Sequence, residues 1–441
     1  MARVVADDNG ITFLDRRNTV RLPDDLSVET TGWHPIRGVT SRHGDRQLTI
    51  RLDDLDPYRG LYEPVPPRRL TTFEVESWRT VVDDAWRLLT THLPGVAETL
   101  PECLESVVPA PAVAFRLPSA STGEAFGSAV VAYSSDPEQL AAALVHEFQH
   151  IRLGGVQHLA SLHTDDPRER FYAPWRDDPR PIGGVLHGIY AFFGVTAFWR
   201  ALAATEPDNA LASFEFAFWR SASWRTLRAV YSDESLTDTG RRFLDGIATE
   251  IEPWQEEPVA AGPAAWATTA ALDHYATWRL RHLRPAVRTV SALAEAWRYR
   301  DSWPKLGELP EPRTPTPVPD GGWADARTDL IRLRLGRDGG ATLAEHGPDV
   351  PGVTGADLAL ISGANESAVD GYRELLVADP DLPTALVGLG LALTARGTGP
   401  AARALLHRPE LVRAVHRVLR TSADATPDIE TVAGWIGRFT H

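Results

Sequence analysis

The sequence predicts an α+β chain, mainly α, with a small N-terminal β-rich segment, a central helical domain and a C-terminal helical cap. Three observations predict it. Apolar and polar residues alternate over roughly the first 60 positions, the period becomes helical near residue 73, and a proline-rich stretch interrupts the helices at 303–322. A chain of 441 residues is too long for one core. The expected division is 1–72, 73–302, a linker at 303–322, and 323–441.

The β-rich segment rests on "GITFLD", "TVRLP" and "RQLTIRLDD", which alternate between Gly, Pro and Asp breaks. In "FEVESWRTVVDDAWRLLTTHL" (73–93), Val75, Trp78, Val82 and Trp86 fall on one helical stripe. Two strand candidates follow, "AVAFRL" (112–117) and "GSAVVAY" (127–133). Helices are expected from Pro137 to about Arg300. One of them, "IGGVLHGIYAFFGVTAFW" (182–199), has the length of a membrane span. Its His187, its glycines and the following Arg200 predict a buried helix instead. "WPKLGELPEPRTPTPVPDGG" (303–322) is too rich in proline for helix or sheet. Beyond it, "DGYRELLVADPDLPTALVGLGLALTARG" (370–397) reads as helix, turn and helix, the shape of one tetratricopeptide-like hairpin with no second copy at a fixed period.

Composition excludes several classes of partner. A formal charge of −14 disfavours nucleic acid, whose phosphates demand a basic surface. The single cysteine, Cys103, can form neither an internal disulfide nor a cysteine-rich metal site. Arg3 and Asp7 with no apolar run behind them do not read as a signal peptide. The expectation is a cytoplasmic protein that binds no membrane.

The chemistry is concentrated in "YSSDPEQLAAALVHEFQHIRLGGVQHL". Asp136 is placed to cap a helix, Pro137 to open it, and Gln139 to complete a capping box. Leu140, Leu144, Phe148 and Ile151 share one face. His146 and His150 lie nearly opposite, beside Ala142 and Ala143. Imidazoles four residues apart reach one metal ion from one side of a helix, which predicts a metal-binding domain here. Glu147 stands where a zinc peptidase places its general base.

The third ligand is open at this level. A metzincin continuation fails, because Leu153 and Val156 occupy the positions of its glycine and histidine. His158 and His163 reach the ion only if the helix breaks at Gly154-Gly155. His187 in "VLHGIYAFFG" gives a three-histidine site. Glu215 in "SFEFAFWR" gives two histidines and a carboxylate, and a buried carboxylate needs a cation beside it. Between the two helices, "RERFYAPWRDDPRPIGG" (168–184) combines Arg176 and Arg180 with three prolines. It suits either recognition of a ligand carboxylate or pairing with Asp166, Asp177 or Asp178.

The run from "LVHEFQHIRL" through "FYAPWRDDPRPIGGVLHGIYAFFGVTAFWR" resembles a family of α-ketoglutarate-dependent HExxH-type peptide β-hydroxylases, encoded beside ribosomally made peptide natural products. "LDDLDPYRG" near the start, and "LLVADPDLPTALVGLGLALTARG" and "RPELVRAV" near the end, extend the resemblance over nearly the whole chain. It implies an enzyme that uses Fe(II), α-ketoglutarate and O2 to hydroxylate a β-carbon of a precursor peptide. Other peptide-modifying enzymes of the same pathway are implied as further partners. By position, His146 and His150 hold iron and His187 completes the set. Arg180, with Arg176 as competitor, takes the distal carboxylate of α-ketoglutarate, and Tyr190 lies on the co-substrate side. Glu147 becomes an orienting residue or a ligand. The alternative is a zinc metallopeptidase with Glu147 as base and Glu215 as third ligand.

Overall fold

The computed structural model describes residues 3–7, 10–15, 18–60, 63–114, 117–122, 125–299, 312, 314–422 and 427–439. It is a mixed α+β structure dominated by helix, with two small sheets that, among the described residues, lie in the N-terminal third. The chain forms two compact units, Met1–Gly155 and Val156–His441.

The first unit begins with an antiparallel sheet of β1 (Arg3–Asp7), β2 (Gly10–Leu14) and β3 (Thr19–Arg21). A second sheet has the order β4-β5-β6-β8-β7, from β4 (Arg37–His43), β5 (Arg46–Leu52), β6 (Ser106–Ala110), β7 (Ser119–Ser121) and β8 (Ser128–Ala132). The expected alternation of "RQLTIRL" is realised in β5: Leu48, Ile50 and Leu52 are buried and the residues between them are not. β4 escaped the sequence reading as an individual strand because Ser41 takes one of its core-facing places, so only Val39 marks its inner face. β5, β6 and β8 run parallel, and β4 and β7 join them antiparallel at the edges.

The crossover from β5 to β6 is α1 (Thr72–His92) and α2 (Pro94–Cys103). α1 starts at a capping box between Thr71 and Glu74, and its four predicted stripe residues are all buried. Asp54, within "LDDLDPYRG", is a buried structural carboxylate. It accepts from Arg37 Nη2 (3.1 Å), Arg69 Nη1 (3.1 Å) and the Leu70 amide (2.7 Å). The strand expected at 112–117 includes residues 115–116, which fall outside the described residues; β6 lies just before it. "GSAVVAY" forms β8 as expected.

α3 (Pro137–Leu159) carries the chain across the division. The second unit continues with α4 (Ile182–Thr205), α5 (Ala210–Val230), α6 (Asp238–Trp254), α7 (Ala261–His282) and α8 (Val287–Tyr299). Then come α9 (Ala326–Leu335), α10 (Gly339–His346), α11 (Gly355–Ser362), α12 (Asn365–Ala378), α13 (Pro383–Arg396), α14 (Pro400–His407), α15 (Pro409–Ser422) and α16 (Ile429–Gly437). Among the described residues, α4 is the helix with the length and composition of a membrane span, and most of it is buried inside the protein.

α12 and α13 form the expected helical hairpin. Gly388 allows the close approach, since a Cβ there would collide with the Tyr372 ring. One core joins α7 and α8 to the C-terminal helices through Leu280, Leu293, Leu386, Leu389 and Val412. Buried ion pairs reinforce it: Arg279 donates to Glu410 (2.6 Å), and Arg327 donates to Asp273 and to Asp357 (2.8 Å). Of the proline-rich stretch, 303–311 and 313 lie outside the described residues. Its last part is held in place, with the Thr316 amide on His282 O (2.8 Å) and Asp320 paired to Arg413 and Arg417.

Candidate metal centre

α3 starts as its sequence requires. Asp136 Oδ1 accepts from the amides of Glu138 (2.9 Å) and Gln139 (3.3 Å). The Asp136 amide donates to Ser134 Oγ (3.1 Å), so Ser134 does what the capping-box reading gave to Gln139. Leu140, Leu144, Phe148 and Ile151 are buried along one face.

On another face the imidazoles of His146 and His150 converge, with Nε2 of one 3.0 Å from Nε2 of the other and the rings at 74°. Two imidazole nitrogens bound to one ion at about 2.1 Å, with an angle between right and tetrahedral, stand about 3.0–3.4 Å apart. The observed separation therefore fits two adjacent ligands of a single divalent ion. It equally accommodates a hydrogen bond from one Nε2–H to the other ring's lone pair. His146 keeps about a fifth of its side-chain surface (21%), yet the protein around it pushes its pKa down to about 4 by desolvation. Its ring is neutral near pH 7, as a ligand must be.

Glu147 is fully buried, with Oε1 4.0 Å from His146 Nε2. Burial raises its pKa, and the hydroxyls of Ser119 and Ser121 on β7 oppose the shift. Neither carboxylate oxygen makes a hydrogen bond of good geometry among the described residues. A buried carboxyl group in that condition is costly unless it stays protonated or gains a cation. The first unit thus holds two converged imidazoles beside a buried acid, and the imidazole pair is a partial donor set for a divalent ion.

α3 is unbroken through Gly154 and Gly155, which removes the break that His158 and His163 needed. His158 is exposed, twelve residues or about 18 Å along the helix from His146. His163 belongs to the second unit, where its Nδ1 lies 2.7 Å from the Thr164 carbonyl oxygen. Glu215 has found its cation in a side chain. Its carboxylate accepts from Arg332 Nε (2.6 Å) and Trp219 Nε1 (2.8 Å), which corrects its candidacy as a ligand.

His187 projects from the second turn of α4, and its Nε2 lies 2.7 Å from Gln157 Oε1. Burial, then the nearby His163, lowers its pKa. A metal bound through Nε2 would require Gln157 to release it. Nothing in the sequence pointed to Gln157, which is 30 positions away from its partner. Tyr190, one turn further along α4, packs against Phe243 with ring centroids 5.2 Å apart.

The arginine loop is closed by a bridge between Phe171 and Arg180, whose amides and carbonyls pair at 2.9 and 3.1 Å. Trp175 inserts against α4 and stacks on Phe192 (centroids 5.1 Å), which stacks on Trp219 (4.0 Å). The glycines of "IGGVLHG" receive these side chains. A Cβ at Gly183 would stand 2.8 Å from His163 Nε2, one at Gly184 3.3 Å from Arg180 Nε, and one at Gly188 would overlap the Trp175 indole. Arg176 Nε and Arg180 Nη1 both donate to the Asp178 carboxylate (3.0 and 3.1 Å). Of the two readings of this loop, the structure displays the ion-pair network.

Among the described residues, no group of three or more His, Cys, Asp or Glu side chains is gathered as a complete metal site. No family model matches the chain, and no curated protein matches it.

Proposed function

We propose that the chain is an Fe(II)- and α-ketoglutarate-dependent oxygenase that hydroxylates a β-carbon of a residue in a ribosomally made precursor peptide. The observation that carries this reading is the 3.0 Å approach of His146 Nε2 to His150 Nε2 on a capped helix. His146 and His150 would hold the ion. When bound, iron with few protein ligands supplies open positions for a chelating keto acid and O2. The peptide gains one oxygen atom, while α-ketoglutarate is converted to succinate and CO2.

The chain's own groups have separate tasks. Glu147 holds a proton or a hydrogen-bonded water beside the imidazoles and needs no role as hydrolytic base. The resemblance, rather than the geometry of either unit, assigns His187 as third ligand. It likewise assigns Arg180, with Arg176 as competitor and Tyr190 nearby, to the co-substrate. The central helices as a metal-binding domain, the α12–α13 hairpin as a tetratricopeptide-like cap, and a cytoplasmic location belong to the same proposal.

One observation favours a zinc peptidase as second reading. Glu147 Oε1, 4.0 Å from His146 Nε2, is close enough to share a water with a bound ion. Commitment of Glu215 to Arg332 removes the carboxylate that such an enzyme would use as third ligand.

Protein purified without oxygen and loaded with Fe(II) is incubated with the co-encoded peptide, α-ketoglutarate and O2. The expected result is a peptide one oxygen heavier with matching succinate. Zinc-loaded protein that cleaves the peptide without O2 would overturn the reading.

A further inference from the structure

We infer that Asp178 is an internal stand-in for a ligand's carboxylate: it fills the fork formed by Arg176 and Arg180, and a dicarboxylate binds there by displacing it. The inference rests on the proposed use of a keto-acid co-substrate, and it adds a built-in competitor for that co-substrate.

The geometry is that of carboxylate recognition. Arg176 Nε reaches Asp178 Oδ1 and Arg180 Nη1 reaches Asp178 Oδ2, so one guanidinium serves each oxygen of a single carboxylate. Partial burial opposes ionisation of Asp178, but Arg176 and then Arg180 prevail and hold its pKa below the usual carboxylate range. The neighbouring acid takes no part. Asp177 is committed elsewhere, its carboxylate to Arg281 (3.1 Å) and its carbonyl to Arg281 and His282.

Arg180, one side of the fork, has supports besides Asp178. The Phe171–Arg180 bridge closes the loop, Trp175 anchors it against Gly188 and Phe192, and the Arg180 guanidinium rests over Gly184. Releasing Asp178 would leave Arg180 in place on the loop, beside the half-exposed Arg176. The release is also cheap. The Asp178 side chain is 36% exposed, Arg180 31% and Arg176 50%, and pairs this accessible resist displacement by about fivefold or less each.

The test measures binding apart from turnover. Calorimetric titration of the full chain with α-ketoglutarate, and separately with succinate in the absence of metal, compares wild type with Asp178→Asn and Arg180→Ala. The Asn variant keeps the shape of the loop without the competing charge. Expected is about three- to tenfold tighter binding of both dicarboxylates to Asp178→Asn, and at least tenfold weaker binding to Arg180→Ala. Unchanged or weaker binding to Asp178→Asn, with its melting temperature preserved, overturns the inference, as does absence of dicarboxylate binding to any form. If Asp178→Asn binds succinate more tightly but the iron-loaded enzyme forms no succinate under O2, the inference stands and the oxygenase reading falls.

Discussion

Gly188 lies directly beneath the indole of Trp175, leaving no room for a Cβ. The contact fixes the arginine loop to α4 and continues through Phe192 and Trp219 to Glu215 and Arg332. Gly188→Ala should displace the indole and cost about 1–3 kcal/mol through overpacking. Urea unfolding and tryptophan fluorescence together measure it. An alanine variant as stable as wild type, with unchanged fluorescence, would refute the packing argument.

His146→Ala and His150→Ala should each reduce iron binding at least about a hundredfold, because losing one imidazole of the proposed three leaves a weak site. His158→Ala, an exposed change on the same helix, should bind iron like wild type. Metal analysis after anaerobic loading reads all three. Equal iron in all three variants would remove the pair from the metal centre.

Glu147→Gln keeps the shape of a fully buried side chain and removes an acid that has no good hydrogen bond. Metal-free protein should gain about 1 kcal/mol, seen as a higher melting temperature. Hydroxylation should persist in this variant, whereas peptide cleavage by a zinc enzyme would collapse by about a hundredfold or more. The single substitution thus separates the two functional readings.

Glu215→Ala takes from Arg332 its close carboxylate and leaves the longer pairing with Asp329 (3.7 Å). Arg332 is about one-third exposed (32%), so solvent softens the loss to about 2–3 kcal/mol. Metal content should not change. A fall in bound metal without a fall in stability would restore Glu215 as a ligand.

His274 Nδ1 meets the Tyr172 hydroxyl at 2.8 Å, and burial lowers the histidine's pKa to about 4, with Arg225 acting in the same direction and Asp325 and Asp177 against it. The unfolded chain titrates near 6.5 and takes up this proton first, so the folded state loses stability as pH falls from about 6.5 toward 4. The full loss is about 3 kcal/mol for this group. His274→Gln should flatten the acid limb of a stability–pH curve over that window. An unchanged limb would place the acid sensitivity elsewhere.

Much of this arrangement was legible in residue order. The α3 cap, its buried Leu140–Ile151 face, the paired histidines and the α1 stripe follow from helical period and capping chemistry. β1 and β4 were legible only as part of a β-rich segment and not as individual strands: "RVVAD" does not alternate strictly, and Ser41 stands in a core place of β4. Of the strand expected at 112–117, residues 115–116 lie outside the described residues, and β6 just before it had no separate expectation.

Spacing along one helix sufficed to aim His146 and His150 at a common point, because a local period of 3.6 residues sets the direction of each side chain. Partners far apart in sequence obey no such rule. That Glu215 would meet Arg332 rather than an ion, that Gln157 would meet His187, and that Trp175 would need the bare backbone of Gly188 depended on which helices pack together. Packing is settled by the whole chain's burial of apolar surface, and no stretch of sequence records it locally.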